Sequence, residues 1–158
     1  MKTLAVLPGS YDPITQGHLD IIRRAALIFG SCEVVVMNNR AKKTLFSLEE
    51  RLALCRAALA GEEGVAVSGY EGMLYEFLAD RPDAVLVKGV RNGEDLLYER
   101  EQAEFNFAHC GVETVFLDAG AGLRDLSSTR VRDLLSKGGG WETLVPKAIV
   151  PLLREKNK

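Results

Sequence analysis

Cysteine is scarce in this chain, and the few that occur do not form pairs. Cys32, Cys55 and Cys110 are odd in number, far apart and never in a C-x-x-C spacing. This argues against a disulfide framework and favours a reducing compartment. Each lies among apolar residues, so we expect small buried side chains rather than reactive thiols. No Cys/His cluster has the spacing of a zinc site.

Long apolar runs and a strong net charge are also absent. No run approaches the roughly 20 residues that span a bilayer, and the apolar stretch 4–8 is too short for the core of a signal peptide. The net charge of -2 gives no overall basic surface for nucleic acid. We therefore expect a cytoplasmic protein that binds neither membrane nor nucleic acid. A length of 158 residues predicts a single domain, 1–158.

What is present is an alternation of strand and helix patterns. Helical spacing or capping signals follow each apolar run, with a helix at 73–81, another from about Asp95 to Cys110, and a final helix interrupted at Pro151. Strands joined through helices pair in parallel. The predicted fold is α/β: one doubly wound, Rossmann-like domain with a five-stranded parallel sheet and helices on both faces. The predicted strands are 3–8, 32–38, 64–69, 84–89 and 113–118.

The loops after strands one, two, four and five should meet at the carboxyl edge, where ligands bind in such sheets. In the first loop, Gly9 allows close approach of a ligand and Ser10 offers a hydroxyl. His18 falls at a helix start, where free N–H groups favour an anion. The alternative is a simple strand-to-helix turn capped by Thr15, with His18 at the surface.

The other three loops carry cations and hydroxyls. Lys42 follows strand two, and Lys88 lies at the end of strand four with Arg91 three residues on, around Gly89. "LSSTR" (126–130) lies at the start of a helix. Solvated charges and a helix cap are the alternatives. No P-loop, G-x-G-x-x-G or catalytic triad pattern occurs. Together these loops predict a site that positions polyphosphate without a protein nucleophile.

Four segments then resemble a known family. "GSYDPITQGH" (9–18) resembles the first signature of the nucleotidyltransferase superfamily, and "LSSTRVR" (126–132) resembles the second. Between them, "NRAKKTLFSLEER" (39–51) and "KGVRNGEDLLYEREQAEFN" (88–106) are similar to phosphopantetheine adenylyltransferases in particular. The similarity spans nearly the whole chain.

The resemblance implies an enzyme that transfers the adenylyl group of ATP to 4'-phosphopantetheine, giving dephospho-CoA and pyrophosphate by direct in-line attack. It implies Mg²⁺ held mainly by the ATP phosphates, with no metal site of the protein's own. It also implies a homohexamer and possible restraint by coenzyme A.

The resemblance also implies roles for individual residues. His18, Lys42, Ser10 and Arg91 would be catalytic, and Ser10, Lys42, Leu74 and Lys88 would bind the acceptor. Lys88 stands where the family usually has Arg. The ATP site would be lined by Ser10, Tyr11, His18, Gly89, Val90, Arg91, Glu99, Leu123, Arg124, Asp125, Leu126, Ser127, Ser128 and Thr129.

Two alternatives stay open at the level of sequence. Nicotinate mononucleotide adenylyltransferase shares both signatures, and the discriminator is the acceptor side, where Lys42, Leu74 and Lys88 suit a phosphate on a long arm. A non-catalytic nucleotide-binding protein is the other, and the presence of His18 with Lys42 and Arg91 argues against it. A cytidylyltransferase and a nucleic-acid-binding role are less favoured.

Overall fold

The computed structural model describes residues 3–158, and these form one parallel sheet with the strand order β3-β2-β1-β4-β5. All neighbouring strands pair in parallel. The α/β class and all five predicted strands are confirmed; the third continues two residues further than expected. The strands are β1 (Leu4–Gly9), β2 (Cys32–Asn38), β3 (Val65–Glu71), β4 (Ala84–Val90) and β5 (Thr114–Asp118).

Helices cover both faces of this sheet, as predicted. Successive strand residues point to opposite faces, so Val34 and Val36 enter one core while Val35 enters the other. The helices are α1 (Gln16–Phe29), α2 (Leu48–Leu59), α3 (Leu74–Leu78), α4 (Gly93–Cys110), α5 (Ser128–Lys137) and α6 (Val150–Lys156). Helices α1, α2, α5 and α6 contribute buried residues to the larger core, and α3 to the smaller one.

Two helix predictions are wrong in detail. Helix α3 has five residues rather than the nine of 73–81. It ends where Phe77 and Leu78 are buried, and the Arg81 side chain donates to the Phe77 carbonyl beyond its last turn. Pro151 does not interrupt the last helix. It lies in the first turn of α6, after a short 3-10 helix (Lys147–Ile149), and a missing N–H costs nothing at that position.

The cysteines are free. Cys32 and Cys55 are buried, as expected, whereas Cys110 is only partly covered. None of the described helices is long and apolar enough to cross a membrane.

Candidate functional site

A cleft of about 470 Å³ opens beyond the carboxyl ends of β1 and β4. From β1 the chain passes through α1 to β2 on one side, and from β4 it passes through α4 to β5 on the other side. Helices α1 and α4 therefore leave these two strands in opposite directions, and the crevice between them is where ligands bind in doubly wound sheets.

The cleft brings together most of the residues that the sequence singled out. Those lining it are Ser10, Tyr11, His18, Lys42, Lys88, Gly89, Arg91, Glu99, Leu123, Leu126, Ser127, Ser128 and Thr129. Apart from Glu99, which lies on α4, they come from the four loops predicted to share the carboxyl edge. Up to 119 positions separate them in the sequence.

Four predicted site residues lie outside the lining of the cleft. Leu74 begins α3, beyond the carboxyl end of β3, and packs against the smaller core. Val90 ends β4, and its carbonyl accepts a hydrogen bond from the Ala119 amide. Arg124 pairs with Asp118, and Asp125 offers its carbonyl to Arg130. Their binding roles stay predictions.

His18 is held at the N-terminus of α1 by reciprocal hydrogen bonds with Thr15. The Thr15 hydroxyl accepts from the His18 amide at 3.3 Å, and His18 Nδ1 accepts from the Thr15 amide at 3.0 Å. The Thr15 cap is thus confirmed, but the alternative of a surface histidine is wrong, because the ring is largely covered and lines the cleft. Since Nδ1 accepts this hydrogen bond, the neutral ring carries its proton on Nε2.

The charge state of His18 follows from its surroundings. Burial first, and then the positive charges of Arg91 and Lys88, lower its pKa from 6.5 to about 4. The imidazole is therefore neutral at physiological pH, and Nε2–H is a hydrogen-bond donor beside two cations.

Ser10 and Lys42 approach each other from separate loops. Ser10 follows β1 and Lys42 follows β2, and the Lys42 ammonium lies 3.5 Å from the Ser10 hydroxyl. A cation beside a hydroxyl suits a phosphate group, which accepts hydrogen bonds from both.

Two cations at the carboxyl end of β4, Lys88 within the strand and Arg91 just after it, each face a carboxylate of α4. Arg91 Nε donates to Asp95 at 2.9 Å, and this hydrogen bond lowers the pKa of Asp95. Lys88 Nζ lies 3.5 Å from Glu99 Oε2, a buried oxygen without a hydrogen-bond partner. Lys88 and Glu99 are thus a charge pair without hydrogen-bond geometry, and the ammonium retains its donors for a ligand.

The hydroxyls at the start of α5 form hydrogen bonds within the protein. Ser127 accepts from the Arg130 amide, and Ser128 donates to the Pro13 carbonyl at 2.8 Å. The capping alternative is therefore confirmed for Ser127. The N-termini of α1 and α5 both meet the cleft, so two helix dipoles add to its positive potential.

Sequence reasoning missed two buried charged residues next to this site. The Asp12 carboxylate accepts hydrogen bonds from the Leu45 and Phe46 amides at 2.8 and 2.9 Å. Arg51 in α2 is wholly buried. The sequence did contain a signal for Arg51, because it is a charged residue within an otherwise apolar helical face.

The carboxylates of the cleft are occupied by the protein itself. Asp12 binds backbone amides, Asp95 binds Arg91, and Glu99 faces Lys88. Over residues 3–158, no group of three or more His, Cys, Asp or Glu side chains is placed to hold a metal ion. The donors that remain suit an anion.

Comparison with known proteins agrees with this geometry. The model of the cytidylyltransferase-like family matches residues 6–134. Similar curated relatives are the phosphopantetheine adenylyltransferases of Nocardioides sp., at 44% identity over 93% of this chain and 92% of the relative, and of Acidovorax sp., at 47% over 97% and 93%. A third, from Streptomyces coelicolor, is 41% identical over 96% of both chains.

Among solved structures, a bifunctional NMN adenylyltransferase/ADP ribose pyrophosphatase of Francisella tularensis, complexed with AMP and a manganese ion, superposes with a TM-score of 0.70. It is 15% identical and is matched over 99% of this chain but only 49% of its own length. This likeness shows the fold alone. The relatives match at 41–47% identity over more than nine tenths of the sequence, so the chain belongs to the phosphopantetheine adenylyltransferase family.

Proposed function

We propose that this protein transfers the adenylyl group of ATP to 4'-phosphopantetheine, giving dephospho-CoA and pyrophosphate. Family membership supports the reaction. The structural observation that carries it is His18, held as a neutral Nε2–H donor beside Lys88 and Arg91 in a cleft without an activated nucleophile. Such a site stabilises charge that develops on phosphate oxygens.

The attacking group belongs to the acceptor. A phosphate oxygen of 4'-phosphopantetheine, already anionic, forms the new bond to the α-phosphorus of ATP. The bond from that phosphorus to the bridging oxygen breaks, and its electron pair leaves with pyrophosphate. Neither a general base nor a covalent enzyme intermediate is required, so alignment and charge stabilisation provide the acceleration.

Each residue of the cleft would have a role that follows from its position. His18 Nε2–H would donate to an α-phosphate oxygen as charge builds there. Ser10 and Lys42 would hold the attacking phosphate between the loops after β1 and β2. Arg91 and the α5 N-terminus would bind the triphosphate, and Lys88 would grip the acceptor.

Leu74 would contact the arm of the acceptor outside the cleft. It begins α3, directly after β3, so it lies towards the same carboxyl edge as the loop of Lys42. A phosphate held at Ser10 and Lys42 would therefore leave its long, partly apolar arm directed towards α3. This separation of a charged head from a long arm favours 4'-phosphopantetheine over a compact mononucleotide.

Magnesium would enter with the nucleotide. Because the carboxylates of the cleft are engaged by amides and cations, the phosphates themselves would be its main ligands. When bound, Mg²⁺ would neutralise part of the triphosphate charge.

We further propose a homohexamer that coenzyme A can inhibit. Helix α4 exposes Leu97, Tyr98 and Phe107, and exposed apolar side chains of this size favour association. Coenzyme A carries the same pantetheine arm as the acceptor and would compete for its site. Sedimentation equilibrium measures the oligomer, and initial rates at rising coenzyme A concentration measure inhibition.

The deciding experiment is pyrophosphate release by the purified protein with ATP and Mg²⁺, with 4'-phosphopantetheine or nicotinate mononucleotide as acceptor. Release with the first alone is expected. Release with the second alone would identify the acceptor as nicotinate mononucleotide instead. Release with neither would leave a nucleotide-binding protein without turnover.

A further inference from the structure

Ser10 and Lys42 meet at 3.5 Å, yet they belong to loops that follow different strands. Both side chains approach each other from irregular backbone. Their separation therefore depends on whatever fixes these two loops relative to each other.

Arg51 connects the relevant backbone segments. Its Nη1 donates to the Ser10 carbonyl at 2.8 Å and to the Met37 carbonyl at 2.9 Å. Its Nη2 donates to Asn38 Oδ1 at 3.0 Å, and its Nε donates to the Phe46 carbonyl at 3.1 Å. One guanidinium thus holds both ends of the loop that carries Lys42, together with the backbone of Ser10.

Arg51 forms these bonds as a buried charge. The side chain is 0% exposed, and within residues 3–158 no carboxylate forms an ion pair with it at 4.0 Å or less. Apolar residues of similar volume often stabilise a protein as well as a buried charge does. What only the planar guanidinium provides is several donors in a fixed arrangement.

Asp12 ties the same two loops together from the other side. It lies two residues after Ser10, and its carboxylate accepts from the amides of Leu45 and Phe46. The Phe46 backbone is therefore held through its amide by Asp12 and through its carbonyl by Arg51.

We propose that Arg51 is a positioning residue, which sets the distance between Ser10 and Lys42 at which the acceptor phosphate is oriented. It contacts no substrate and acts through the two loops. This inference rests on the proposed function, since it assigns the orientation of the acceptor to that pair.

The test is Arg51→Lys, which retains the positive charge and loses the planar array of guanidinium donors. We expect kcat/KM for 4'-phosphopantetheine to fall about 10- to 100-fold, as for misplacement by about 1 Å. The Kd for ATP alone should stay within about threefold, because His18 and Arg91 are not bonded to Arg51. Arg56→Lys is the matched control: it lies on the same helix, is exposed, and should keep wild-type kinetics.

A double-mutant cycle separates positioning from loss of stability. In a Lys42→Met background the Ser10–Lys42 distance no longer matters, so Arg51→Lys should cost less than about threefold. If Arg51→Lys lowers kcat/KM as much in the Lys42→Met background as in the wild type, the proposal is overturned. Wild-type kinetics for Arg51→Lys alone would also overturn it.

If Arg51→Lys does not fold, Asn38→Ala removes a single anchor and takes its place. Its control is Glu71→Ala, which removes the other partner of the Asn38 amide together with an ion pair to Arg40. That pair is exposed on both sides, and exposed ion pairs contribute little. We expect kcat/KM to fall about threefold or more for the first and to stay unchanged for the second. Equal values for both would overturn the proposal.

A crystal structure of Arg51→Lys, or of Asn38→Ala, provides a readout independent of turnover. Displacement of Lys42 Nζ from Ser10 Oγ supports positioning, and an unchanged distance of 3.5 Å refutes it. Should the wild-type protein release no pyrophosphate, the proposed function fails while this geometric test still decides the role of Arg51.

Discussion

Replacing His18 with alanine removes two hydrogen bonds that have different consequences. One is the hydrogen bond that Nε2–H is proposed to donate to the α-phosphate, and the other is made by Nδ1, which accepts from the Thr15 amide at 3.0 Å. The first concerns the rate of reaction. The second concerns stability, because Thr15 is 2% exposed and its amide would lose its partner.

The magnitudes of the two effects can be separated. Loss of one donor to developing phosphate charge lowers kcat by about 10²- to 10³-fold, or roughly 3–4 kcal/mol of transition-state stabilisation. An unpaired buried amide lowers the free energy of unfolding by about 1–3 kcal/mol. ATP binding should change far less than kcat, because the ground-state α-phosphate carries less charge to stabilise.

The assay is pyrophosphate release with ATP, Mg²⁺ and 4'-phosphopantetheine at saturation, well below the unfolding temperature of the variant. Isothermal titration gives the Kd for ATP, and urea unfolding gives the stability. His109→Ala is the matched control, since that histidine is exposed on α4 and stacks on Tyr75. A kcat for His18→Ala within about threefold of wild type would refute the role of Nε2–H.

Three further predictions concern the same walls of the cleft. The unfolded state binds a proton at His18 between pH 6.5 and about 4 that the folded state excludes. The free energy of unfolding should therefore decrease as the pH is lowered from 6.5 to about 4, by on the order of 3 kcal/mol. Urea unfolding of His18→Gln should lack that part of the pH dependence. Lys88→Arg should lower the acceptor KM or leave it unchanged, because a fork can bind phosphate through two hydrogen bonds; a marked rise in KM would show that the site is adapted to lysine. Gly89→Ala would place a Cβ 2.9 Å from Ile21 Cγ1 and should destabilise the protein by about 1–3 kcal/mol; an unchanged denaturation midpoint would contradict this.

The fold and the region of the site follow from local pattern. Five apolar runs separated by helical spacing specify a parallel sheet, because side-chain period and crossover length are properties of short segments. The Ser47–Glu50 capping box and the Gly30 end of α1 are local signals of the same kind, and both occur in the structure. The carboxyl-edge rule then selected the four loops that form the cleft.

Only the tertiary structure decided what each side chain does there. The proton position on His18 depends on an amide three residues away. Its lowered pKa depends first on burial and then on Arg91 and Lys88, more than 60 residues along the chain. The sequence marks Arg51 only as a charge within an otherwise apolar helical face, whereas its hydrogen bonds to the carbonyls of Phe46, Ser10 and Met37 appear only in the folded chain. Periodicity records which face of an element is buried, whereas hydrogen bonds and charge pairs depend on distances between segments that only the packed chain brings together.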